Sequence, residues 1–384
     1  MVTTTLPFPR IEISLDSLRY NLQQIRYRSG KAVGIIAVVK DLAYGLGAVP
    51  IARLLEEEQV AMLAVAQACE AFELRKAGIK MPILVLGPAA PKELCRGYDH
   101  AISFAITDVT EMIQWANQQV PVRAHAFFDT GMMRMGISPD HTEDIIALFQ
   151  QHPHIICEGL CTHFASADVA ASDTVLRQHE LFLKIKSQFV LSDLRPPYIH
   201  CANSAAILRH NLPGSTHIRP GILLYGCKPD PAQDFALPLR TIATLKSQIT
   251  RLRAVGAGIP IGYGGTYVTP HPTTIATIML GYAHGVPRAL SNKGHVLING
   301  RRYPIRGRVT MDYIMVDCGT HDAVAVGDEA VIMGWQGNQC IDTDELALQS
   351  NTIGYEILCG LSTRLNRYYY QSGQLVHHSG GHYF

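Results

Sequence analysis

The chain has almost no excess charge: 33 Lys and Arg against 32 Asp and Glu give a net charge of +1 over 384 residues. Without a basic face there is no electrostatic footprint for nucleic acid. No uninterrupted apolar stretch approaches the roughly 20 residues of a membrane helix, so no membrane partner is expected. The opening residues Met1 to Arg10 lack both a positive leader and an apolar core, which reads as a cytoplasmic protein. The nine cysteines, Cys69, Cys95, Cys157, Cys161, Cys201, Cys227, Cys318, Cys340 and Cys359, are odd in number and contain no CxxC pair. They read as reduced, small core residues. His377, His378 and His382 have no Cys or carboxylate set around them, so the tail reads as solvated and no metal site is expected. Internal repeats and low-complexity tracts are also missing.

What is present is a 47% hydrophobic fraction in a chain long enough for two domains, or for one barrel with an appendage. Asp16 is placed to cap a helix with the apolar face Leu18, Leu22 and Ile25, ending near Gly30. Eight apolar, β-branched runs follow at 33–40, 62–67, 82–87, 102–106, 122–129, 155–163, 198–203 and 216–219. Helix-like segments at 47–58, 68–78, 108–119, 141–151 and 173–189 separate many of them. Eight βα units predict an α/β fold with an N-terminal (β/α)8 TIM-type barrel over 12–238. After about residue 240 the texture becomes short alternating runs separated by Gly, Pro and Asn, at 241–254, 274–281, 295–299 and 328–334. A mainly β C-terminal domain over 239–384 is expected, joined by a strand from residues 1–11, with the Pro-rich 229–238 stretch as boundary.

In a (β/α)8 barrel the chemistry sits at the C-terminal strand ends, where Lys40, His163 and Arg219 fall. An amine closing the apolar run Val33 to Lys40 is expected to be partly stripped of water, which lowers its pKa and suits it to Schiff-base formation. Taken alone, such a lysine is more often a side chain reaching into solvent. Arg219-Pro220-Gly221-Ile222 changes that balance, because the Gly221 and Ile222 amides lie where such barrels hold phosphate. Asn203-Ser204 adds a hydroxyl to the same phosphate, and Thr162-His163 places a ring beside it. Each residue has a plain structural alternative (Ser204 a helix cap, His163 a core histidine, Arg219 a rim ion pair), but together they suit pyridoxal 5′-phosphate.

These residues resemble the alanine racemases of the fold-type III pyridoxal-phosphate enzymes. The resemblance runs through Ala37-Val38-Val39-Lys40 with Tyr44-Gly45, Asp129-Thr130-Gly131-Met132 with Arg134, and Thr162-His163-Phe164-Ala165. It continues through Asn203-Ser204, Arg219-Pro220-Gly221-Ile222, Tyr263-Gly264, Gly281-Tyr282, Gly307-Arg308, Met311-Asp312 and Tyr355-Glu356. It implies that Lys40 carries the cofactor, that Arg219 hydrogen-bonds its ring nitrogen, and that Tyr44, Ser204, Gly221, Ile222 and Tyr355 hold its phosphate. His163 would join the Arg219 network. Inverting a stereocentre needs a base on each face, and the resemblance makes these Lys40 and Tyr263, the latter given across a homodimer interface. Arg134, Met311 and Tyr282 would contact or admit the amino-acid substrate.

The chain also departs from the family pattern. Asp41 and Leu42 alter the segment after the reactive lysine, and Met133 stands where glycine is common. His284 replaces an acid, and Phe127 stands where many relatives carry a carbamylated lysine beside the substrate-facing arginine. These changes bear on substrate preference and rate. The main expectation is an alanine racemase activity that feeds peptidoglycan synthesis; a racemase of serine, lysine or broad range would share nearly every residue named. A non-catalytic pyridoxal-phosphate carrier would lack the second domain and base. An aspartic protease, hinted at by Asp129-Thr130-Gly131 and Asp317-Cys318-Gly319-Thr320, would need an all-β fold.

Overall fold

The computed structural model describes residues 6–169, 172–320 and 324–380, so part of the strand expected over 1–11 and His382 lie outside the described residues. The first strand, β1 (Arg10–Ser14), precedes eight that close into a barrel: β2 (Gly34–Val38), β3 (Met62–Val65), β4 (Ile83–Val85), β5 (Ile102–Ile106), β6 (Val122–Phe127), β7 (Ile155–Cys161), β8 (Tyr198–His200) and β9 (His217–Ile218). Neighbours pair in parallel, and β2 closes onto β9 through Gly34 opposite His217 and Ile35 opposite Ile218. The α/β barrel read from the sequence is therefore present. Most strands stop short of the apolar runs that announce them, because residues such as Lys40 and His163 lie beyond the last ladder hydrogen bonds, in the loops that form the site.

Three local readings change. Asp16 does not cap the first helix (Leu15–Ser29); the Ser14 hydroxyl accepts from the Ser17 amide at 3.1 Å, while Asp16 accepts from the distant Ser372 amide. A helix over Pro91–Asp99 was not foreseen, since Gly97 interrupts its pattern; a Cβ there would lie 2.3 Å from the Phe104 ring, so close packing on β5 requires the glycine. His377 and His378 lie on an ordered strand, Gln374–Ser379, that remains largely solvent-exposed: His377 is half-buried, and the exposed His378 stacks on Tyr368 at 4.6 Å. The cysteines likewise split: Cys161, Cys201, Cys227 and Cys318 are buried, whereas Cys69, Cys95 and Cys359 are exposed rather than core residues.

The second half is mainly β. Its organising strand, β10 (Ala243–Val255), runs antiparallel to β1, to Thr273–Ile278 and to Glu329–Gln336. The four charges Arg10, Glu12, Lys246 and Glu329 link the three adjacent strands, with Lys246 Nζ 2.9 Å from Glu12 and 3.3 Å from Glu329. The segment Asn366–Gln371 pairs in parallel with β1 and delivers Arg367 and Tyr369 to the barrel: Arg367 donates to the Gly45 carbonyl at 2.7 Å and Tyr369 to Leu46 at 2.8 Å. Two short helices, Thr343–Ser350 and Gly354–Cys359, also belong to this half. Among the described residues no helix is long and apolar enough to cross a membrane.

Asn21 joins the halves. It sits on the apolar face of the first helix with Leu18, Leu22 and Ile25, fully buried. Its amide donates to the Leu224 and Arg240 carbonyls at 3.1 and 2.8 Å, and its carbonyl accepts from Arg240 N at 2.7 Å. Truncation removes the partner of three backbone groups, the buried Leu224 carbonyl and the part-buried Arg240 carbonyl and amide, at a cost of about 1–3 kcal/mol each where water cannot replace it. Asn21→Ala should therefore lower unfolding free energy by about 3 kcal/mol in urea titrations, whereas Tyr27→Ala on the exposed face of the same helix should change it by less than about 0.5 kcal/mol.

Candidate active site

Beyond β2 the chain makes a turn that L-residues rarely adopt. Asp41, Leu42, Ala43 and Tyr44 all have φ between 53° and 55°, a left-handed turn built without glycine. Each such residue costs roughly 1–2 kcal/mol, so the surroundings must hold it. The Glu70 carboxylate accepts from the Asp41 amide and, at 2.8 and 2.9 Å, from Ala66 and Gln67. From below, Arg367 and Tyr369 bind Gly45 and Leu46, and a Cβ on Gly45 would lie 2.4 Å from the Leu358 carbonyl. The turn presents Lys40 at the barrel mouth. In the single chain Lys40 is exposed, not stripped of water as expected, because the turn lifts it clear of the strand.

Across the mouth Arg219 follows β9 and is buried. Nη1 lies 2.7 Å from His200 Nδ1 and donates to the His200 carbonyl at 2.7 Å; Nη2 donates to Thr162 at 2.7 Å and Cys201 at 3.3 Å, with His163 Nδ1 also at 3.3 Å. Among the described residues these bonds use Nη1 and Nη2 only, which leaves Nε–H for a ligand. His163 stays neutral: burial, then Arg219, Arg134 and Lys40, push it down to about 3.

The hydroxyls gather on the same side. The Ser204 hydroxyl accepts from the Gly221 amide at 3.0 Å, so that amide serves Ser204 rather than standing free, and the serine proton remains available. Asn203 caps the helix Ser204–Arg209 through Ala206 N at 3.0 Å. Tyr44 packs on Tyr225 at 4.7 Å and faces Tyr355 at 6.0 Å, and burial raises both Tyr44 and Tyr355 well above the ordinary phenol value, keeping them as donors. A Cβ at Gly221 would lie 2.3 Å from the Tyr44 hydroxyl, so only glycine leaves room for it. Ile222 is buried beneath and does not line the cavity; it opens the short 3₁₀ turn Ile222–Tyr225, whose first amides are free of the turn's own bonds.

One cavity of about 530 Å³ brings together Lys40, Tyr44, Arg134, His163, Asn203, Ser204, Arg219, Gly221 and Tyr355. Asp129 shapes the Arg134 loop, accepting from Gly131 N and Met132 N at 2.8 Å; burial pulls its carboxyl up, but the amides of Gly131, Met133, Met132 and Arg134 hold it below the usual range. Met133 carries φ 55°, which is why glycine suits that position. Phe127, 5% exposed, packs with Ala105, Cys161 and Met135, so an apolar plug stands beside Arg134, and no hydrogen bond to the Arg134 guanidinium is found among the described residues. Asp129 and Asp317 are committed to separate turns and sheets, which removes the protease reading.

Three expected residues are not at this cavity. Tyr263, Tyr282 and Met311 are 72%, 44% and 54% exposed on the β half. Tyr263 rides a turn between Pro260–Ile261 and Tyr267–Val268, and the amides of Tyr282 and Ala283 bond the Thr310 and Met311 carbonyls at 3.0 Å, so Tyr282 and Met311 share one surface. His284 is buried behind it, with Nδ1 accepting from Gly281 N at 3.3 Å. Asp168 and Ile353 line the cavity but carried no motif.

An amine, a locked guanidinium with one free N–H and three converging hydroxyls fit a phosphorylated aromatic aldehyde, which places the chain among barrel enzymes built around that kind of cofactor. Comparison narrows the class. The profiles described as alanine racemase, N-terminal domain and C-terminal domain match residues 13–229 and 242–369. An alanine racemase of Halothermothrix orenii is 40% identical over 362 residues, 93% of this chain and 96% of that protein. The crystal structure of alanine racemase from Bacillus anthracis with bound L-Ala-P superposes with TM-score 0.89 at 33% identity, covering 98% of this chain and 99% of that one. That of Bartonella henselae, with covalently bound pyridoxal phosphate, gives 0.84 at 29% identity over 95% of this chain and 100% of that one. The chain belongs to the alanine racemase family.

The buried imidazoles set a pH dependence. Burial, then Arg219, lowers His163 to about 3; burial likewise lowers His125 and, with Arg219, holds His200 well below 6.5. The unfolded chain binds a proton at each site near pH 6.5 and the folded chain does not. Stability is therefore complete above that value and falls as pH drops through it, with a slope approaching about 1.4 kcal/mol per pH unit from His163 alone and with His200 and His125 adding in the same direction. Urea midpoints measured from pH 7.5 to 5.5 should fall with that sign; a flat or rising midpoint would show that these histidines take up protons in the folded state.

Proposed function

We propose that the chain is a pyridoxal 5′-phosphate-dependent racemase that interconverts L- and D-alanine as a homodimer in the cytoplasm, supplying D-alanine for peptidoglycan. The observation that carries this reading is the division of the site. Lys40, Arg219 and the phosphate-type hydroxyls share one cavity, while Tyr263 stands exposed on the other half. The exposed thiols Cys69, Cys95 and Cys359 suit a reducing compartment. Residues of about 12–238 would hold the cofactor; those of about 239–384 would add Tyr355 to their own barrel and Tyr263, Tyr282 and Met311 to the partner's.

When bound, the cofactor supplies the electron sink that acidifies the substrate Cα–H. The rest is done by this chain's own groups. Tyr44, Ser204 and Tyr355 would donate to the phosphate, and Arg219 would offer Nε–H to the ring nitrogen. Since an arginine does not readily surrender its proton, Arg219 would leave that nitrogen unprotonated and so temper the electron sink, favouring simple proton exchange over side reactions. Lys40 removes or returns the proton on one face, and Tyr263 of the partner subunit does so on the other. A phenol acts as a base only where positive charge stabilises the phenolate. The cavity lining carries Lys40, Arg134 and Arg219 against the single carboxylate of Asp168. Arg134 faces the substrate carboxylate.

Borohydride should fix the cofactor to Lys40 in the wild type and to no residue in Lys40→Ala. Tyr263→Phe should still bind the cofactor yet racemise roughly 10²–10⁴-fold more slowly. Mixed Lys40→Ala and Tyr263→Phe chains form hybrid dimers with one intact site, so activity should recover to about a quarter of wild type at statistical exchange. Fixation to another lysine, or no recovery after demonstrated subunit exchange, contradicts the assignment.

A further inference from the structure

Arg219 is the first member of a buried chain of side chains that runs back through the barrel interior. His200 Nδ1 lies 2.7 Å from Arg219 Nη1, His200 Nε2 lies 2.8 Å from His125 Nδ1, and His125 Nε2 lies 3.4 Å from Glu158 Oε2. Both histidines are fully buried, and the Glu158 side chain is 14% exposed. Two features of the sequence make room for the chain. The pairing of β6 with β7 shifts register between Ala124 and His125, leaving Glu158 as the extra residue of a bulge that re-aims its side chain. A Cβ at Gly159 would lie 2.1 Å from His125 Nδ1, so the ring fits only beside a glycine.

The two ends fix every proton between them. A guanidinium has no acceptor, so His200 Nδ1 must present a lone pair and, being neutral, carries its proton on Nε2. That proton is donated to His125 Nδ1, which places the His125 proton on Nε2, facing Glu158. The carboxylate only accepts; Ser103 Oγ donates to the same Oε2, and Arg123 Nη1 lies 3.5 Å from Oε1. Reversing the direction would need a neutral arginine. Adding a proton to either ring would set N–H against N–H. One arrangement satisfies all four residues.

We infer that Glu158, acting through His125 and His200, is a positioning residue that locks Arg219 in the orientation the cofactor requires. The inference rests on the reading of Arg219 as the ring-nitrogen donor. Without the carboxylate His125 can take the other tautomer, its Nδ1–H would face His200 Nε2–H, and the flip would propagate until His200 presents N–H to Arg219. The lock at the barrel mouth is then set by an acid that touches neither substrate nor cofactor.

The test uses full-length protein labelled with 15N-histidine, with and without pyridoxal 5′-phosphate. In the wild type, both buried histidines should show an unprotonated Nδ1 and a protonated Nε2 in either form. Glu158→Leu should lose that pattern, shift the absorption of the bound cofactor and lower kcat roughly tenfold or more, with KM changed less than about twofold, the scale of a lost charge-assisted hydrogen bond. Glu158→Gln, which keeps a carbonyl acceptor, should recover most of the loss. A proton on His200 Nδ1 in the wild type overturns the relay whether or not any variant folds, as does a Glu158→Leu protein with unchanged histidine signals and cofactor absorption. If Arg219→Ala alone leaves the cofactor absorption unchanged, the ring-nitrogen reading fails instead, and the relay stands or falls on the histidine signals.

Discussion

The buried guanidinium of Arg219 is the interaction on which the site depends. Removing its charge from water costs several kcal/mol, and the structure answers with carbonyls from Thr162, His200 and Cys201 and the ring nitrogens of His163 and His200. These acceptors come from the ends of β7 and β8, so the group that would meet a cofactor also ties adjacent barrel strands together. Hydrogen bonds to a charged group contribute about 1.5–3 kcal/mol each, and losing a partner strands a buried charge. Burial and the neighbouring guanidinium keep His163 and His200 neutral, which makes the site's electrostatics and the protein's acid sensitivity one property.

A second constraint acts on the opposite rim. Four left-handed residues after Lys40 store strain that the barrel alone does not balance. Glu70 holds the start of the turn, and Arg367 and Tyr369 from the final strands hold its exit. The β half thus serves its own barrel twice, by fixing the Lys40 turn and by adding Tyr355 to the cavity. Its exposed Tyr263, Tyr282 and Met311 serve no group of the same chain's cavity, which is the physical ground for a shared site in the proposed dimer.

The barrel was legible because buried parallel strands leave runs such as Ile102 to Ile106 that a sequence cannot disguise. Lys40, Ser204 and Arg219 were legible as strand-end residues, and their meeting in one cavity follows from the closed topology. Other features were not. Asn21 reads as a break in an apolar stripe until its three backbone partners are seen, and Ser14 rather than Asp16 caps the helix because β1 ends one residue before it. A bulge shifts Glu158 out of the strand's alternation, so period-two reading cannot aim it at His125. The left-handed turn has no glycine within it to announce it, and the exposure of Lys40 is a consequence of that turn.

Phe127 and Met133 lie next to Arg134, the first lining the same cavity and the second preceding it in the chain. The first presents an apolar plug to that cavity, and the second accepts backbone strain at φ 55° on a residue 88% exposed. Neither is a hydrogen-bond partner of Arg219, so the network that holds the guanidinium does not depend on them. The most direct measurement of that side is the 15N resonance of pyridoxal 5′-phosphate labelled at its ring nitrogen and bound to this protein. The account predicts an unprotonated, hydrogen-bonded pyridine nitrogen that does not change between pH 6 and pH 9. A protonated pyridinium signal in that range would contradict the role given to Arg219 and the chain of residues behind it.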